Sequence, residues 1–68
     1  MSANLQESTR IAIEAIAKIR DGELTETEAT DWMQSVLEVS GATNDEMFDA
    51  GVTFGYMTVA LRIEQEKK

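Results

Sequence analysis

Apolar side chains recur along this chain at intervals of three and four, and glycine interrupts the pattern at Gly22 and Gly41. The first such segment predicts a helix over about residues 4–21. At about 100° per residue, Leu5, Thr9, Ala12, Ile16 and Ile19 share one face. Ile11 and Ala15 widen that face on one side and Ile13 on the other, while Gln6, Glu7, Arg10, Glu14 and Lys18 make the polar side. Asn4 is placed to cap the helix, with Glu7 three residues on in a capping-box pattern. Gly22 falls just past the end, where a left-handed backbone suits glycine.

A second helix is expected over about residues 26–40. Thr25 and Glu28 form the next capping-box pair, with Leu24 and Ala29 as a hydrophobic staple. Ala29, Trp32, Met33, Val36 and Leu37 make the apolar stripe, and Trp32 is expected to be largely buried against the first and third helices. Gly41 ends this element. Thr43 with Glu46 opens the third, expected over about residues 44–66, and Lys67 and Lys68 suit the negative end of its dipole.

The third segment differs from the others in having two apolar sides. Phe48, Val52, Val59 and Ile63 lie on one, and Met47, Ala50, Phe54, Met57 and Leu61 on the other, with Gly51 and Gly55 between. Tyr56 falls at a boundary, with its hydroxyl directed to solvent or a polar partner. Glycine inside a helix costs close to 1 kcal/mol relative to alanine, so two of them imply a close approach by something. A strand reading competes, because Val52, Thr53, Phe54, Tyr56, Thr58 and Val59 favour strands. No other segment offers such a strand a partner, and the helix is preferred. A helix apolar on two sides is buried on two sides. The first two helices can cover one; a second copy of the chain is expected on the other. Gly51, Phe54, Gly55, Met57 and Leu61 are the residues assigned to self-association, giving an all-α three-helix domain that assembles as a helical homodimer.

Length sharpens that expectation. Sixty-eight residues bury little core, and chains this small rely on disulfides, metal or association. With no Cys and no His, disulfides and the usual zinc sites are excluded. The start lacks a basic segment followed by an apolar one, and no apolar run approaches the roughly 20 residues of a membrane span, so the expected location is the cytoplasm without membrane contact.

Charge is unevenly spread. The net charge is −7, yet residues 23–49 carry eight acids and no Lys or Arg. Phosphate attraction needs a basic surface, which argues against direct nucleic-acid binding. Helix-start preference accounts for the acids near residues 23–28 and 45–46. It does not account for Asp31 or Glu38, so Glu28, Asp31, Glu38, Asp45 and Asp49 are taken as a surface for a protein partner with basic character.

Chemistry finds little purchase. Calcium-loop spacing fails around Gly22, Gly41 and Gly51 alike. The pairs Glu28 with Asp31 and Asp45 with Asp49 share helix faces, as carboxylates on solvated faces often do. No His or Cys can serve a nucleophile, and no glycine pattern matches a phosphate loop. The expected function is therefore non-enzymatic: a small acidic interaction module, acting as adaptor, regulator or inhibitor, with no cofactor. Two alternatives remain. One is a nucleic-acid mimic, which needs exposed carboxylates spaced like phosphates. The other is an accessory subunit of an enzyme complex.

Overall fold

The computed structural model describes residues 5–67, with side chains from Gln6 onward; the expected cap Asn4, the side chain of Leu5, and Lys68 lie outside the described residues. Three helices follow one another: α1 (Leu5–Arg20), α2 (Glu26–Val39) and α3 (Asn44–Glu66). No strand occurs among the described residues, so the segment from Val52 to Val59 is helical.

Both interhelical links use the same device. After α1, Gly22 takes φ +79°, its amide donates to the Ile19 carbonyl at 3.1 Å, and the Glu23 amide reaches back to Lys18 at 2.9 Å. After α2, Gly41 takes φ +75°, with the Gly41 amide on Glu38 at 3.1 Å and the Ala42 amide on Leu37 at 3.0 Å. These paired bonds satisfy the last carbonyls of each helix, and the left-handed residue they require is glycine both times. A complete capping box then opens each following helix. Thr25 Oγ1 accepts from the Glu28 amide while Glu28 Oε1 accepts from the Thr25 amide, at 3.2 and 2.9 Å. Thr43 and Glu46 repeat this at 3.2 and 2.8 Å. Glu46 is buried, and its second carboxylate oxygen has no hydrogen-bond partner among the described residues.

α1 packs against both α2 and α3, which touch each other only lightly. Small side chains make this possible. Ser8, Ala12 and Ala15 of α1, Ala29 of α2 and Ala50 of α3 are fully enclosed. Around them the core gathers Ile11, Ile16, Met33, Leu37, Phe54 and Leu61. Thr58 is buried too, its hydroxyl donating to the Phe54 carbonyl at 2.7 Å.

Three side chains depart from the expected core. The buried face of α1 is centred nearer Ser8 and Ala15 than the apolar pattern alone implies, which leaves Ile13 exposed. Trp32 is half-buried, because α3 lies too far from α2 to cover it; instead the Lys18 ammonium of α1 sits 5.0 Å from the ring centroid. Val36 is likewise only half-buried.

These differences set the expected mutational ranking. Leu37 is enclosed, so Leu37→Ala should destabilise by about 2–5 kcal/mol. Trp32→Ala should cost about 2 kcal/mol, below the range for a fully buried tryptophan. Chemical denaturation of the two variants checks the order; a larger loss for Trp32→Ala would contradict the half-buried placement.

Candidate interaction surface

α3 keeps one apolar side for the core and presents the other to solvent. Ala50, Phe54 and Leu61 are buried, with Met47 and Met57 half-buried beside them. Phe48, Val52, Tyr56, Val59 and Ile63 stand exposed on the outer side; Phe48 retains 75% and Tyr56 77% of its surface. Single exposed apolar residues are ordinary, but five along one helix form a continuous stripe. The five expose a patch on the order of 500 Å², near the upper end for a monomer of any size.

Of the five residues assigned to self-association, Phe54 and Leu61 lie in the chain's own core, and Met57 partly so. Gly51 and Gly55 do belong to the open side, where with Val52, Tyr56 and Val59 they line a shallow depression. A methyl group added at either glycine would meet no neighbouring atom within 4 Å. Packing within one chain therefore gives no reason for glycine at either position.

Periodicity carries no signal for the choice of side: Met47, Ala50, Phe54, Met57 and Leu61, which face the core, and Phe48, Val52, Tyr56, Val59 and Ile63, which do not, both keep a three–four spacing.

The acidic residues are less free than their number implies. The Arg62 guanidinium of α3 binds Glu26 through both carboxylate oxygens, with Nε to Oε2 at 3.0 Å and Nη2 on Oε1. Glu28 and Glu46 are occupied in capping boxes. Asp49 is half-buried and accepts from the Thr9 hydroxyl at 3.3 Å. Asp31, Glu38 and Asp45 are exposed. Of the five assigned partner-binding acids, Glu28, Asp31 and Glu38 lie on α2, whereas Asp45 and Asp49 lie on α3. The five are thus spread over two helices. No group of three or more potential ligand side chains is gathered for a metal among the described residues. Nor is any described helix long and apolar enough to cross a membrane.

No family model, no curated protein and no solved structure matches this chain.

The Glu26–Arg62 pair ties the start of α2 to the end of α3. Arg62's hydrogen bonds hold the Glu26 carboxyl below its usual value, against a smaller opposing effect of desolvation. A lowered folded value means a contribution that is complete above the unfolded value of about 4.3 and lost as pH falls through the folded one. Solvent around the half-exposed Glu26 and exposed Arg62 keeps that contribution small. Acid titration of stability should therefore be slightly shallower below about pH 4.3 in Glu26→Gln than in the parent. A steeper acid loss in the variant would contradict the pairing.

Proposed function

We propose that the chain is a non-catalytic interaction module that works as a homodimer through the outer side of α3. The observation that carries this reading is the exposed stripe Phe48, Val52, Tyr56, Val59 and Ile63. A continuous apolar surface of this extent on so small a chain is characteristic of a binding face. The glycines support the reading. Each costs helix stability, and neither is needed by the fold of one chain. Both make sense where another helix comes close.

Sedimentation at micromolar concentration tests it. The parent should sediment at twice 7.5 kDa. Gly55→Leu should raise helix stability by about 0.5–1 kcal/mol, because the added Cβ meets no atom of its own chain within 4 Å. It should weaken association by about 1–3 kcal/mol through overpacking. A parent that stays at 7.5 kDa would refute the dimer.

A protein partner with a basic surface is the second part of the proposal. Asp31 and Glu38 support it: they are exposed, sit outside the caps, and Glu38 stands in the last turns of α2, where negative charge is mildly unfavourable. Complementary charge there speeds encounter and sets orientation. The mimic reading receives less support, since Glu26, Glu28, Glu46 and Asp49 already serve local roles. Affinity capture from the native host checks the assignment. Asp31→Asn with Glu38→Gln should lose a protein that the parent retains and that rising salt releases. Identical captured sets would show these acids to be a solvated face only.

A further inference from the structure

We infer that the two copies pair α3 against α3 antiparallel, about a twofold axis between Gly55 and Tyr56. This rests on the reading of the outer face of α3 as a self-association surface, and adds its geometry.

The order of residues is self-complementary in one direction. Phe48 and Ile63 are equally distant in sequence from the midpoint between Gly55 and Tyr56, as are Val52 and Val59. All four are exposed on the same side. An antiparallel pair centred there sets Phe48 against the partner's Ile63 and Val52 against the partner's Val59. At the axis, Tyr56 lies beside the partner's Tyr56 on one edge of the stripe, and Gly55 beside the partner's Gly55 on the other, where nothing bulky holds the backbones apart. Large residues thus meet large ones at the ends and the helices come close at the centre, as a close-packed contact requires.

Charge selects the same direction. The start of α3 carries Asp45, Glu46 and Asp49 without a basic residue, while its end mixes Arg62 and Lys67 with Glu64 and Glu66. Parallel pairing brings Asp45 and Asp49 alongside the same two residues, Glu46 being buried in its own chain. Antiparallel pairing separates those ends and opposes the two helix dipoles favourably. It also forms a specific pair. On the helical projection Asp45 and Lys67 lie on one edge of the stripe, together with Tyr56. A twofold axis perpendicular to both helices brings like edges together, and Asp45 and Lys67 are within one residue of equal distance from it. Asp45 therefore lies beside the partner's Lys67, twice per dimer.

The area fits a second copy. Burying a patch on the order of 500 Å² from each chain removes about 1,000 Å² in all, the lower bound for a specific interface.

Cysteine cross-linking tests the direction cleanly, since the chain has no Cys of its own. Single substitutions Val52→Cys, Tyr56→Cys and Val59→Cys fall on exposed positions, and circular dichroism confirms that each variant folds. At 1.5 Å per residue, antiparallel pairing separates Val52 from the partner's Val52 by about 10 Å along the axis, beyond disulfide reach. Tyr56→Cys alone should oxidise to covalent dimer. Val52→Cys and Val59→Cys should each stay uncross-linked alone and join when mixed. Cross-linking of Val52→Cys and Val59→Cys each with itself would overturn the antiparallel geometry and leave self-association standing. A parent that sediments at 7.5 kDa, with no cross-linking in any variant, would overturn both.

Discussion

α1 must serve two neighbours at once, and the structure depends on its being narrow enough to do so. Ser8, Ala12 and Ala15 let α2 and α3 lie close against it, and Ala29 and Ala50 return the favour from the other helices. Each contact gains proximity and forgoes bulk. Only around this small-residue centre do Ile11, Ile16, Met33, Leu37, Phe54 and Leu61 find places. The result is an elongated body of 42 × 19 × 15 Å, with length set by α3, about 34 Å at 1.5 Å per residue.

Such a core is thin, and thinness explains the double character of α3. A helix of 23 residues outreaches what α1 can cover. One side completes the core; the other keeps aromatic and branched residues in water. A monomer gains nothing from Phe48 or Tyr56 in those positions, nor from glycine where alanine would make a better helix. Among the described residues, five of the seven exposed large apolar residues lie on this one side of α3; Ile13 on α1 and Val39 on α2 stand singly.

Local chemistry was legible in the sequence. The links around Gly22 and Gly41 and the caps at Thr25 and Thr43 follow from neighbouring residues alone, and they set the start and end of α2 to within a residue. The helix over Val52 to Val59 followed from the lack of a partner strand, against local propensity. What could not be read was anything that depends on where the helices lie relative to each other. Periodicity showed that α3 has two apolar sides without saying which one α1 covers. It placed Trp32 on an inward stripe without showing that α3 would stay clear of α2. Arg62 and Glu26 stand 36 residues apart, and only their meeting in space removes one acid from the apparent block. Part of the candidate surface was similarly hidden. Its outer residues were visible as a row, whereas Phe54 and Leu61, assigned to self-association, lie in the chain's own core.

The light contact between α2 and α3 has a kinetic and spectroscopic corollary. Pairing α1 with α2 closes only a short loop, whereas docking α3 onto α1 needs a longer one, so the adjacent pair has the entropic head start in folding. The single tryptophan reports on that adjacent pair, because its charged neighbour, Lys18, belongs to α1. Its emission therefore reports chiefly on the contact between α1 and α2, whereas the chromophore of α3, Tyr56, stands in solvent. Tryptophan and tyrosine signals from one sample thus watch two different places, a seam between helices and the open side of α3.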